Sequence, residues 1–117
     1  ETKITVNKRE FLDSIERSTL LIRESDKKPI ILDIRDGSME LSLNSVIGSM
    51  KEDILIHKKG KDILIGFNPR FLIDALRVID DEDIDIYMVN SKAPCFIRDE
   101  ESRYIYLILP VNFNVNR

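Results

Sequence analysis

The chain has 117 residues, 43% hydrophobic and 33% charged, with only 4 Gly and 4 Pro, a globular composition that excludes a disordered, collagen-like or linker segment and leaves room for a single domain over residues 1–117. Its 18 Lys and Arg against 21 Asp and Glu give a net charge of -3, which excludes a surface that clings everywhere to nucleic acid but not a local basic face. The lone cysteine, Cys95, excludes an internal disulfide, and no apolar run nears the roughly 18 residues of a membrane span, so a soluble protein of a reducing compartment with no membrane partner is expected.

The sequence opens at Glu1 with neither a methionine nor a leader pattern, as expected of a piece cut from a longer chain. A β-like stretch, Lys3 to Val6, runs into Asn7, and Glu10 follows three residues later, the spacing of an N-cap and a carboxylate that reaches back to an orphan amide. A helix from Lys8 to about Leu21 is the consequence. Strands over Pro29 to Arg35, Met39 to Asn44 and Met50 to His57 follow, with Asp36-Gly37 as a tight hairpin turn between the first two. Lys58-Lys59-Gly60-Lys61 reads as another hairpin turn. Ile63 to Phe67 is an apolar strand running into Asn68-Pro69, where Asn caps and Pro gives up an amide that would lack a partner, so a second helix is expected from Pro69 to about Ile79. Three further strands, Ile84 to Val89, Pro94 to Arg98 and Tyr104 to Leu109, are separated by Asn90-Ser91 and the charged stretch Asp99 to Arg103. Each half therefore reads β-α-β-β-β. The fold class predicted is α+β, a duplicated unit with about eight strands in antiparallel sheets and two helices side by side on one face.

Helical geometry puts Phe11, Ile15, Ser18 and Ile22 on one stripe and Arg9, Asp13, Glu16 and Arg17 opposite. In the second helix Leu72, Ala75, Leu76 and Ile79 form the buried stripe while Arg70, Asp74 and Arg77 point out. Two outward arginines on each helix could form a small basic patch, or simply be solvated, with Asp74 pairing to Arg70 and Arg77. Leu20 and Leu21 fall outside the first stripe and make, with Ile22, an apolar run at the helix end; Phe71 and Val78 flank the second stripe. Such runs mark either packing under a loop or contact with a partner.

Catalytic motifs are absent: there is no Gly-rich phosphate loop, CxxC, HExxH or GxSxG. The only histidine, His57, reads as a surface strand residue. Asp80-Asp81-Glu82-Asp83 with Asp85 offers oxygen ligands of the kind a hard divalent cation takes, but lacks the glycine of an EF-hand loop and reads as a solvated turn. Cys95, between Pro94 and Phe96 in a strand, has nothing nearby to activate it. No catalytic residue, metal ligand or cofactor is assigned.

Two segments carry a resemblance. Ile65-Gly66-Phe67-Asn68-Pro69-Arg70-Phe71-Leu72-Ile73-Asp74-Ala75-Leu76 and Tyr106-Leu107-Ile108-Leu109-Pro110-Val111 look like signature segments of the third, C-terminal domain of the bacterial sliding clamp family, the β subunit of DNA polymerase III. Asn7 to Ile22 with the hairpin Pro29 to Leu43 is similar to the opening of that domain, so the resemblance spans almost the whole chain. It implies a non-catalytic cytoplasmic parent of three duplicated domains, two copies of which form a homodimeric ring around duplex DNA, helices lining the hole, to tether the polymerase. Holding DNA by topology asks for modest phosphate contacts, assigned to Arg9, Arg17, Arg70 and Arg77, which reconciles an acidic protein with DNA. The resemblance also implies a hydrophobic pocket for short peptides from polymerase, clamp loader and repair proteins, carried over to Asn68, Phe71, Pro94, Leu107, Leu109, Pro110 and Val111, and a subunit interface at Leu21 and Ile22. Where the family often has an arginine second after the proline, this chain has Asn112, and Phe113 to Arg117 runs on. The competing readings are a stand-alone peptide-binding adaptor on a clamp-like fold and a metal-dependent enzyme using the acidic cluster; two further β-α-β-β-β pairs upstream of Glu1 would favour the clamp.

Overall fold

Alternation of apolar and polar residues carries directly into strands. The computed structural model describes residues 1–22, 28–98 and 105–113, and runs β1 (Thr2–Asn7), α1 (Lys8–Thr19), β2 (Ile30–Ile34), β3 (Ser38–Asn44), β4 (Ser49–Lys59), β5 (Ile63–Phe67), α2 (Pro69–Arg77), β6 (Asp83–Met88), β7 (Cys95–Arg98) and β8 (Ile105–Ile108). This is the expected α+β order, with the duplicated β-α-β-β-β pattern intact. The strands join in the order β5-β2-β3-β4-β1-β6-β7-β8, every neighbouring pair antiparallel. Strand β4 is long enough to serve two neighbours, pairing over Ser49–Leu55 with β3 and over Ile56–Lys59 with β1. One face of the sheet is apolar, supplied by alternate residues such as Ile4, Val6, Leu32, Ile34, Ile84 and Ile86, and the helices cover it with Phe11, Ile15, Leu72 and Leu76.

The halves are exchanged rather than merely adjacent. The leading strand of the first unit, β1, lies between its own β4 and β6 of the other unit. The leading strand of the second, β5, pairs with β2 of the other unit, and its remaining edge meets the chain after β8 through a bridge between Gly66 and Val111.

Both predicted caps form: Asn7 Oδ1 accepts from the Glu10 amide at 2.9 Å and Asn68 Oδ1 from the Arg70 amide at 2.9 Å. The helices stop two residues short of expectation. α1 ends at Thr19, and Leu20, Leu21 and Ile22 form turns whose amides bond back to Arg17, Ser18 and Thr19, so Ile22 lies beyond the helical stripe. Leu12 and Ser14 are buried as well, Ser14 against β4, where its hydroxyl donates to Glu52. α2 ends at Arg77, with Ile79 still fully buried just past the cap.

Asp36-Gly37 makes the expected two-residue turn, closed by the Arg35 amide on the Ser38 carbonyl at 3.0 Å. The second hairpin, at Lys58 to Lys61, does not exist. β4 continues through Lys59, and the chain then crosses to β5, which pairs with β2 and not with β4. Lys58 is correspondingly no turn residue: its ammonium joins Asp36, at 3.0 Å, and Asp62. The expected strand start at Tyr104 and the charged stretch Asp99 to Arg103 lie outside the described residues.

Candidate functional site

The seven residues that the resemblance carries over as a peptide pocket lie on α2, β8 and the ends of the chain segments beside them. Asn68 caps α2 and Phe71 follows in the first turn, its amide on the Asn68 carbonyl at 3.2 Å. Because Phe71 lies off the Leu72–Leu76 stripe, its ring is 59% exposed. On β8, Tyr106 and Ile108 turn inward, which leaves Leu107 and Leu109 outward, 56% and 61% exposed. Cys95 of β7 pairs with Ile108, so Pro94 and Leu109 are the residues just beyond that pair on the two strands. Pro110 and Val111 then carry the chain across to β5, where the Val111 amide donates to the Gly66 carbonyl at 2.9 Å, two residues before Asn68. A corner with large exposed apolar side chains on rigid elements, next to a helix N-terminus, has the chemistry of a groove for apolar peptide anchors.

Duplication supplies an internal comparison. Matched by their caps, Asn7 with Asn68, and by the pair Thr5–His57 with the bridge Gly66–Val111, the two units present the same crevice in different chemistry. Glu10 stands where Phe71 does, Asp53 where Leu107 does and Leu55 where Leu109 does. The first crevice, a cleft of about 280 Å3 between α1 and β4, is laced by Arg17, whose Nε and Nη2 hold the two Glu52 oxygens at 2.8 and 2.6 Å while Ser14 Oγ donates to Glu52 at 2.8 Å. In the second unit Val78, Tyr106 and Ala75 take those places, and none can form that fork. An ion pair thus lines the first crevice. The other offers apolar surface.

Glu52 is a residue that sequence reasoning missed. Its signal was available: along the inward side of β4, Met50, Glu52, Ile54 and Ile56, it is the one carboxylate. Its hydrogen bond from Arg17 holds its carboxyl below the usual glutamate range, against the opposing effect of burial. A lowered folded pKa means that its stabilisation is present above the ordinary value of about 4.3 and lost as pH falls through the lowered one. We expect Glu52→Gln to lose about 1 kcal/mol at pH 7, the scale of a partly exposed pair, and to match the parent chain once the pH is well below the glutamate range. Urea unfolding at the two pH values measures this; an unchanged gap in acid would refute the linkage.

Ion pairing also engages the arginines of the helix layer. All four arginines are exposed, but Arg17 is held by Glu52, Arg77 by Glu16 of α1 at 2.9 Å, and Arg9 lies 3.6 Å from Asp13. Asp74 was expected to hold Arg70 and Arg77, yet Arg77 bonds across to the neighbouring helix because α1 and α2 pack side by side. Among the described residues only Arg70 of the four carries no ion pair.

At the end of α1, Leu20 is 79% exposed, whereas Leu21 and Ile22 are half-buried against the core. The chain turns back after Thr19, which places the Leu21 side chain beside Gly48 at the tip of the β3–β4 hairpin. That tip adds two exposed residues, Val46 and Ile47, which sequence reading did not single out. The most exposed apolar residues there are Leu20, Val46 and Ile47, with Leu21 and Ile22 partly exposed.

The remaining sequence candidates are dispersed. His57 is exposed on the outer sheet face and lines a groove of about 480 Å3 with Thr5, Leu55 and Asp83. Within the acidic cluster, Asp85 accepts from Thr5 Oγ1 at 2.7 Å, and the Glu82 carbonyl accepts the Lys8 amide at 2.8 Å. Among the described residues no group of His, Cys, Asp and Glu is placed to hold a metal ion, and no helix is long and apolar enough to cross a membrane. Cys95 is fully buried, and desolvation pushes its thiol up to about 12. At pH 8 only about one in ten thousand would be thiolate. Iodoacetamide should therefore spare Cys95 in the native protein and modify it in urea, as read by mass; ready labelling of the native form would contradict its burial.

Comparison with known proteins gives a consistent picture. Residues 1–112 match the family described as DNA polymerase III beta subunit, C-terminal domain. The beta sliding clamp of Bacillus subtilis is 35% identical over 115 residues, which are 95% of this chain and 30% of that protein. A crystal structure of a DNA polymerase III beta subunit from Eubacterium rectale superposes with a TM-score of 0.94 at 68% identity, covering 97% of this chain and 31% of that one. For the Bacillus subtilis sliding clamp structure the TM-score is 0.91 at 35% identity, with the same coverage. The chain thus spans about a third of the length of these relatives. On sequence over nearly its whole length, and on a fold that superposes closely on theirs, the chain belongs to the sliding clamp family, as the C-terminal domain of a DNA polymerase III beta subunit.

Proposed function

We propose that this chain is one domain of a non-catalytic processivity clamp, which encircles duplex DNA as a homodimeric ring and captures short peptides of the polymerase, clamp loader and repair proteins at the α2–β8 corner. The observation that carries the peptide reading is the contrast between the two crevices: where the first unit has Glu10 and Asp53 beside the Arg17–Glu52 ion pair, the second leaves Phe71 and Leu107 exposed. Exposed aromatic and aliphatic anchors at the edge of a rigid sheet are what a short apolar peptide needs. Charge supports the DNA reading. A helix layer whose arginines are mostly paired binds phosphate weakly, and a ring that slides requires contacts that exchange rather than hold. For ring closure, the apolar surface of Leu20, Val46 and Ile47 is the part of this chain suited to meet another domain. The test is topological. The full-length parent loaded onto closed circular duplex should stay bound through a high-salt wash and leave once the circle is cut; equal release from intact circles would reject encirclement.

A further inference from the structure

The segment Val111 to Phe113 is built onto β5 beside the proposed pocket. Val111 pairs with Gly66 of β5, and two residues on, at the diagonal position of the ladder, the Phe113 ring lies over Gly66. Diagonal neighbours across an antiparallel pair are within reach of an aromatic ring, and a ring laid over a cross-strand glycine covers backbone that would otherwise lack a packing partner. The contact depends on the missing side chain: a Cβ on Gly66 would sit 2.7 Å from Phe113 Cδ1 and 3.2 Å from the Val111 carbonyl oxygen. Gly66 is itself buried, and its strand leads directly into the Asn68 cap and Phe71. One amide bond and one ring thus fix the segment that carries Leu109 and Pro110 relative to the helix that carries Phe71.

We propose that Val111 to Phe113 forms a latch on β5, with Phe113 and Gly66 as positioning residues that hold the Leu109–Pro110 lip in place for peptide capture. This rests on the peptide-pocket reading above. Neither residue needs to touch the peptide; the latch acts by presenting a preformed lip, so that binding does not have to order it.

The test uses the full-length parent, a fluorescein-labelled peptide with a glutamine-leucine-phenylalanine core read by anisotropy, and 4-fluorophenylalanine placed at position 113 read by 19F NMR. Phe113→Ala should weaken the peptide about tenfold, mainly through faster dissociation, and Phe113→Leu should recover part of the loss. Gly66→Ala should move the 19F signal toward that of free fluorophenylalanine and weaken the peptide similarly. Combined with Phe113→Ala, it should add little, because both changes break one contact. Parent-like affinity in Phe113→Ala while Phe71→Ala still loses binding would overturn the latch alone. Parent-like affinity in both would overturn the pocket and the latch together, and an unmoved 19F signal in Gly66→Ala would overturn the contact itself.

Discussion

Phe71→Ala and Leu109→Ala, each made in the full-length parent, should weaken a glutamine-leucine-phenylalanine type peptide about 30-fold. The figure follows from what these side chains are: large apolar groups of a rigid corner, 59% and 61% exposed in this chain, whose truncation at a binding hot spot costs about 2 kcal/mol. Stability should hardly change, since neither side chain contributes to the buried core and exposed substitutions stay within about 0.5 kcal/mol. That separation is the diagnostic feature. A control on the other unit sharpens it: Leu55→Ala, at the position matched to Leu109 and 79% exposed, should leave the peptide unaffected because Glu10 stands there in place of the Phe71 anchor. Fluorescence anisotropy measures all three. Unchanged affinity in Phe71→Ala and Leu109→Ala, or an equal loss in Leu55→Ala, would reject the assignment of the α2–β8 corner.

Caps and alternation made most of the fold legible before any coordinates. Asn7 with Glu10 and Asn68 with Pro69 announce two helices half a chain apart, and both helices start where those residues say. Helix ends were less legible: Leu20 to Ile22 continue the apolar run of α1, and only tertiary packing turns the chain at Thr19. Phe71 stood out in the sequence as a large aromatic that no helical stripe accounts for, and its side chain is exposed. The partners of the arginines were illegible for a different reason. Arginines on one helix can be read along that helix, but their partners Glu52 and Glu16 lie on another strand and another helix, and no local spacing reveals them. The same holds for the exposed hairpin tip at Val46 and Ile47, which becomes a surface with Leu20 only once Gly48 lies against Leu21.

Lys58 to Lys61 was the plainest misreading, and it identifies the residue with the largest expected effect on stability. A Gly between lysines reads as a hairpin turn, yet here Gly60 ends a strand whose successor pairs elsewhere, and it holds a positive φ of 104°. The start of β1 crosses directly over it. A Cβ at Gly60 would overlap the Glu1 carbonyl oxygen and lie 3.0 Å from the Thr2 Cα, and these are backbone atoms that cannot swing aside like a side-chain end. Thr2 is pinned as well, buried with its hydroxyl donating to the Lys61 carbonyl at 2.7 Å. Gly60→Ala therefore combines the strain of a disfavoured backbone region with displacement of β1, the strand that joins β4 to β6. We expect a loss of about 3 kcal/mol in urea unfolding, with about 1 kcal/mol for Gly37→Ala, which has a φ of 78° but nothing within 4 Å of its Cβ. The difference between the two isolates the steric part from the conformational part. Equal losses at both positions would mean that β1 yields freely at Gly60, and that the two halves are not fastened together there.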